Sequence, residues 1–285
     1  MATYIGLDIG GTKFMVTAGD ENGPVGETMR ASTPVDLQEG LNLLHEMIHK
    51  VAGDSPLAGI GAAVGGPLDW RQGIVSPLHQ PQWREVPLKQ IFQDRYHCPF
   101  HVDVDTNIAA IGEYQASKER ERRFLYLTLS TGMGGGFLVD GKIYRGMEGA
   151  HPEAGHQAIS YRCSHPERIT CECGNPDCLE ALVSGNGIRR IYGKPAEQLT
   201  PAEWAEVAWN LGQGLRNLAA IYAPDVIVLG GGIVHGQGEQ LLGPAREVMR
   251  QHLKIVPAPK VRPSCHGYHT ALAGALAAGR LGLGD

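Results

Sequence analysis

The chain has few aromatic residues, little charge and no long apolar run. Phe, Trp and Tyr make up 6% of its 285 residues, and Asp, Glu, Lys and Arg 19%. Basic side chains (25) are outnumbered by acidic ones (30), giving a net charge of −5, and they are scattered rather than striped, which excludes a nucleic-acid surface. The opening segment Met1–Asp8 has no basic region and already carries an acid, so no signal peptide is expected. In the most apolar late stretch, Leu215 to Val234, the residues Arg216, Asn217, Pro224 and Asp225 exclude a membrane span. Low-complexity tracts and long linkers are missing too. So is a GxGxxG turn after an early strand with an acid about 20 residues on, which disfavours NAD. The expectation is a cytoplasmic globular protein.

What is abundant is glycine, with 39 residues, about double the usual share of about 7%. There is no collagen period and 42% of the chain is hydrophobic, so this glycine is expected to serve turns and close backbone approaches. A chain of 30.6 kDa buries one or two cores without needing disulfides.

Thr3–Asp8, Phe14–Ala18 and Val25–Met29 read as a three-strand meander with turns at Gly10-Gly11 and Asp20–Gly23. Leu41, Leu44, Ile48 and Val51 stand at helical spacing in Leu37–Val51, and Leu57–Val64 returns to strand before Gly65-Gly66-Pro67. A further strand ends at His101–Val104, and Thr106–Lys118 reads as helix. The opening pattern then recurs, with apolar Phe124–Leu129, a glycine-rich turn over Ser130–Gly136 and apolar Phe137–Val139. A repeat at roughly 120 residues is too long for a solenoid and fits two copies of one unit. The expected fold is α/β, a duplicated βββαβα unit in two lobes with an interlobe cleft that binds the ligand. The lobes are expected at 1–107 plus about 270–285, and at 108–269, the second carrying an irregular insertion at 151–180. Later elements are a helix over Pro201–Tyr222, a buried strand over Val226–Leu229 and a small-residue helix over Thr270–Leu281.

Asp8-Ile9-Gly10-Gly11-Thr12-Lys13 follows a strand. Glycine there admits a polyanion to backbone N–H groups, Thr12 and Lys13 can donate to phosphate oxygens, and Asp8 can hold water on Mg²⁺; the alternative is an ordinary hairpin turn. Ser130–Gly136 offers the same chemistry in the second copy, and Gly230-Gly231-Gly232 ends a strand where a nucleotide can lie. Asp105, in Asp103-Val104-Asp105-Thr106-Asn107, is either a helix N-cap or a general base accepting a hydroxyl proton. His156, Cys171, Cys173 and Cys178 have the composition of a tetrahedral His-Cys₃ zinc site, against a reading as free thiols or a disulfide. All four lie in the irregular insertion, so the metal is expected to order that segment rather than activate water, presenting Glu153 and Glu180 to a polyol. Cys98, Cys163, His165 and Cys265 are read as structural or surface residues, with Cys163 the spare candidate ligand.

Together these motifs resemble the ROK family of repressors, open reading frames and sugar kinases, within the actin-like, ribonuclease H-like ATPase superfamily. Asp8–Thr12 is similar to its first phosphate motif and Ser130–Gly136 to its second. Val226–Ile233 is similar to its adenosine motif, Glu153–His156 to its E-x-G-H signature and Cys171–Cys178 to its zinc loop. The resemblance implies an ATP-dependent hexose kinase, acting on the 6-OH of glucose or fructose, with Asp105 as catalytic base. It implies Asp8, Gly10, Gly11, Thr12, Lys13, Thr131, Gly132, Gly134, Gly231 and Gly232 around ATP. Gly66, His79, Asp105, Glu153, His156 and Glu180 would face the sugar, with Mg²⁺ as cofactor, structural zinc on His156, Cys171, Cys173 and Cys178, and a homodimer. Val104 and His79 depart from the Asn residues of glucokinase-like members. An N-acetylated amino-sugar kinase and a non-catalytic sugar sensor are the alternatives. A repressor would carry an N-terminal helix-turn-helix, for which no room is expected before Asp8.

Overall fold

β1 (Thr3–Ile9) is the middle strand of a five-stranded sheet ordered β3-β2-β1-β4-β8 in a computed structural model that describes residues 2–284. β2 (Lys13–Asp20) and β3 (Gly23–Ser32) run antiparallel as the expected meander, while β4 (Leu57–Val64) and β8 (Phe100–Val104) are parallel to β1. Ile5, Leu7 and Ile9 of the central strand are buried, whereas β3, on the edge, is mostly exposed. α1 (Leu37–Ala52) starts where the Asp36 carboxylate accepts the Glu39 N–H at 3.0 Å, and ends at Gly53, whose φ of 61° suits a residue without Cβ. Its Leu41, Leu44, Met47 and Ile48 pack on the sheet, each fully buried aliphatic contributing about 1.5–3 kcal/mol.

Between β4 and α2 (Leu88–Tyr96) lies a small antiparallel sheet of β5 (Leu68–Asp69), β6 (Ile74–Val75) and β7 (Val86–Pro87), with Trp83 wholly buried beside it. Two-residue strands have no periodicity to read, and the sequence pattern gives none of them. α3 (Asp105–Ala116) follows β8 directly.

The second copy repeats the plan. β9 (Arg123–Leu129) pairs antiparallel with β10 (Met133–Val139) and parallel with the strand Val226–Gly230, which in turn pairs parallel with Lys260–Pro263. The glycine-rich turn is shorter than the expected Ser130–Gly136. Gly134, Gly135 and Gly136 belong to β10, opposite Thr128, Leu127 and Tyr126. Gly135 there allows close packing: a Cβ on it would sit 3.2 Å from the Ala154 methyl, tighter than ordinary contact. α4 (Leu179–Val183), α5 (Gly185–Tyr192) and α6 (Pro201–Tyr222) follow an irregular segment broken by single 3₁₀ turns. α6 begins in a reciprocal capping box between Thr200 and Glu203 with Pro201 in its first turn, and buries Leu211, Leu215 and Leu218 on one face.

The chain divides into two compact units, one of residues up to Arg120 with Gly141–Ala150 and the segment from His269, the other of Glu121–Asp140 and His151–Tyr268. The first unit thus extends beyond residue 107 to take in α3. The C-terminal helix Thr270–Leu281 explains why, because it lies against α3 backbone to backbone: a Cβ on Gly274 would collide with the Ile108 carbonyl. Each unit has its own core, one around Leu7, Phe14, Leu44 and Phe92, the other around Leu127, Leu179, Leu215 and Val234. Among the described residues no helix is long and apolar enough to cross a membrane.

Candidate active site

In the first unit the parallel register aligns Asp8, Ala63 and Asp103 across β1, β4 and β8, so the carboxyl ends of these strands lie side by side. Open α/β sheets bind ligands at that edge. From it emerge the Gly10–Thr12 turn, Gly65-Gly66 and the start of α3. The Gly10 N–H donates to the Lys13 carbonyl at 3.0 Å; Thr33 clamps the turn, its hydroxyl donating to the Gly10 carbonyl at 2.6 Å and its N–H to Thr12 at 3.2 Å. Gly11 admits no side chain, since a Cβ would stand 2.7 Å from His79 Cβ. Gly66 packs by Val104, with 3.5 Å from its Cβ position to a Val104 methyl.

Asp105 is exposed in the first turn of α3, and the capping position falls on Val104. Its Oδ1 accepts the Thr106 N–H at 2.8 Å. Asp8 feels it: burial pushes the Asp8 carboxyl up to about 6, repulsion from Asp105 adds to the shift, and Lys13 partly offsets it. Asp103, two residues before Asp105, is buried. Its Oδ2 accepts from Arg145 at 2.7 Å and its Oδ1 from the Asn107 amide at 3.1 Å, while the Arg145 guanidinium lies 3.5 Å from the centre of the Trp70 ring. Sequence reasoning missed Thr33 and Arg145, whose contacts span 23 and 42 residues. For Asp103 a signal existed in its i,i+4 spacing to Asn107.

In the second unit the turn Ser130–Gly132 closes by a bond from the Ser130 N–H to the Gly132 carbonyl at 2.9 Å. The start of α5 grips it from outside, Gly185 N–H donating to Ser130 at 2.7 Å and Asn186 N–H to Thr131 at 3.0 Å. Glu180 Oε2 accepts the Met133 N–H at 2.7 Å. At the end of strand Val226–Gly230, Gly231 has φ 89°, and a Cβ there would collide with the Leu129 carbonyl. A pocket of about 120 Å³ opens beside it, lined by Gly230, Gly231, His235, Pro263 and Gly267.

His156, Cys171, Cys173 and Cys178 place one donor atom each within 4.8 Å of all the others. Cys171 Sγ is 3.4 Å from His156 Nδ1 and Cys173 Sγ 3.3 Å from Cys178 Sγ. Zinc–sulfur bonds of about 2.3 Å give tetrahedral edges near 3.8 Å, so this donor set fits zinc after small shifts. Burial pushes the Cys178 thiol up to about 12, while the Asn175 N–H draws Cys173 down to about 7. Loading a cation would therefore release protons. Cys163 lies outside the cluster, its Sγ accepting the His165 N–H at 3.4 Å. Glu153, 4.0 Å from His156 Nε2, is held below the usual carboxylate range chiefly by its hydrogen bond from His151.

The expected residues thus fall into two groups. Asp8, Gly10, Gly11, Thr12, Lys13, Gly66, His79 and Asp105 lie in the first unit; Thr131, Gly132, Gly134, Glu153, His156, Glu180, Gly231, Gly232 and the three cysteines lie in the second. The ROK family profile matches residues 4–279. The chain belongs to the ROK family. It is 33% identical to a fructokinase of Zymomonas mobilis over 81% of this chain and 80% of that one. It is 28% identical to a glucokinase of Halalkalibacterium halodurans, over 90% and 87%. The crystal structure of a ROK glucokinase from Streptomyces griseus, in complex with glucose and AMPPNP, superposes with a TM-score of 0.80 at 26% identity, over 98% of this chain and 99% of that one. The ROK fold, the actin-like ATPase arrangement, is therefore that of this chain.

Proposed function

We propose that the protein is an ATP-dependent hexose kinase that moves the γ-phosphoryl group of ATP to the 6-OH of glucose or fructose. The observation that carries this reading is the carboxyl edge of the first sheet, where exposed Asp105 stands beside a glycine turn and a second carboxylate, Asp8. Asp105 takes the proton of the sugar hydroxyl as its oxygen bonds to phosphorus and ADP departs. Gly10, Gly11, Thr12 and Lys13, with Thr131, Gly132 and Gly134, hold the phosphates, and Gly231 and Gly232 lie along the adenosine. Gly66, His79, Glu153, His156 and Glu180 bind sugar hydroxyls. The repulsion around Asp8, only partly offset by Lys13, suits a divalent cation, and Mg²⁺ would supply neutralisation of the phosphate charge there. His156, Cys171, Cys173 and Cys178 would hold zinc as an ordering ion, since the cluster lies in the irregular segment.

The test is ADP release with Mg²⁺ and ATP over a panel of glucose, fructose, mannose, allose, N-acetylglucosamine and N-acetylmannosamine. Turnover is expected with glucose or fructose, falling about 10²–10⁴-fold in Asp105→Asn. Full activity in that variant would remove the general-base role. Turnover confined to the acetylated sugars would move the substrate to an amino sugar, and binding of a sugar without any turnover would make the protein a sensor.

A further inference from the structure

We infer that Glu180 is a positioning residue for the second glycine turn, so that nucleotide affinity depends on this carboxylate even when no sugar is bound. The inference rests on the reading of Ser130–Gly136 as a phosphate loop and adds to the sugar contact proposed for the same side chain. Glu180 is the second residue of α4, immediately after Cys178 and Leu179. Its Oε2 accepts the Met133 N–H at 2.7 Å, at the junction of the turn with β10, across 47 residues of sequence. The turn is shaped around the carboxylate, since a Cβ on Gly132 would stand 2.9 Å from Glu180 Oε2. On the other side a Cβ on Gly155 would stand 3.2 Å from Glu180 Cβ. Glu180 is thus wedged between the turn and the Ala154–His156 segment. Its Oε1 lies 3.9 Å from Cys171 Sγ, so one side chain spans from the glycine turn to the Cys/His cluster.

The hydrogen bond runs from a backbone N–H to a carboxylate oxygen and ties the turn to α4, two segments that no local periodicity brings together, the kind of contact that holds a loop in register. The main-chain bonds from Gly185 and Asn186 fix the carbonyls of Ser130 and Thr131, and Glu180 fixes the following N–H. A turn held from both sides presents its remaining groups to a phosphate without first being ordered. A carboxylate has about four acceptor sites, so a bond to Met133 leaves capacity for a sugar hydroxyl.

The experiment measures equilibrium binding of a non-hydrolysable ATP analogue with Mg²⁺ and no sugar, in zinc-replete wild type, Glu180→Ala, Glu180→Gln and Glu180→Asp. Alongside it, hydrogen exchange is followed over residues 130–136. Loss of the acceptor in Glu180→Ala is expected to weaken the analogue about tenfold and to speed exchange at Met133. Glu180→Gln keeps an acceptor oxygen at the same reach and should bind within about threefold of wild type. Glu180→Asp, shorter by one methylene, keeps the charge but loses the reach, and should resemble the alanine variant. Wild-type affinity and exchange in the aspartate variant would overturn the inference, whether or not the alanine variant folds, and would leave the kinase reading intact. If wild type binds the analogue neither alone nor with saturating sugar, the kinase reading fails, and Met133 exchange in the aspartate variant still decides whether Glu180 holds the turn.

Discussion

Asp8 shows how a single residue reports on the site it occupies. Its carboxyl titrates at about 6 in the folded chain, against 3.8 ordinarily, chiefly because burial disfavours the anion and secondly because Asp105 repels it. A raised folded pKa gives stability that is present in full below about 3.8, fades as pH rises through about 6 and is absent at neutrality. The ionised form at pH 7 therefore costs roughly 3 kcal/mol as an upper limit, from about 1.4 kcal/mol per pKa unit. Asparagine has similar shape and no charge. Asp8→Asn is expected to melt above wild type, by a margin that widens between pH 4.5 and pH 7 and then levels off. Calorimetry across that range checks it, and a margin independent of pH would show that Asp8 is not the strained group. The same variant should bind Mg²⁺-nucleotide more weakly, since the negative charge that is costly to the empty protein is what the cation needs.

At the scale of elements, glycine decides the packing of the C-terminal helix. Cβ atoms at Gly61 and Gly274 would run into the carbonyls of Ala275 and Ile108, so β4 and α3 both approach this helix through bare backbone. In an isolated helix Gly→Ala is favourable by about 1 kcal/mol, but here the methyl must displace a carbonyl that cannot rotate away. Gly274→Ala is therefore expected to destabilise by about 1–3 kcal/mol or more, read from its urea midpoint; a gain in stability would mean that the helix does not sit so close. This helix was legible in the sequence, small residues and all, because ten of its twelve residues are Ala, Leu or Gly and leave few alternatives. α6 was legible to the residue, as Pro201–Tyr222, from the spacing of Leu211, Leu215 and Leu218. β5, β6 and β7 were not, because two-residue strands owe their existence to tertiary neighbours such as Trp83. Gly134–Gly136 misled for a related reason: glycine signals a turn locally, but here it serves the approach of Ala154 to a strand. Within the site, the glycine turns and Asp105 could be read from local pattern, whereas the Thr33 clamp and the Arg145–Asp103 pair rest on contacts that sequence order does not reveal.

Across the whole molecule, the two copies of the fold differ in what orders them. The first unit closes its core on aliphatic and aromatic side chains from β1 to β8, with no cluster of the His-Cys₃ kind among its described residues. In the second, Cys178 is wholly buried among Leu179, Leu182 and Ile188, and Ile169 and Ala154 join the same core from the irregular segment. That segment has little regular hydrogen bonding of its own, so its apolar residues are delivered to the core by whatever holds His156 and the three cysteines together. A structural metal bound only by the folded state contributes its binding free energy to folding, commonly several kcal/mol or more. Exhaustive chelation is therefore expected to lower the thermal transition of the second unit and to raise hydrogen exchange across residues 151–180, with α1 and β4 protected as before. Because Glu180 follows Cys178 by two residues, exchange at Met133 should rise in the same experiment. Protein shown by elemental analysis to be free of bound metal, yet keeping both its thermogram and its exchange pattern, would mean that packing alone orders the segment and that the four donors meet for another reason.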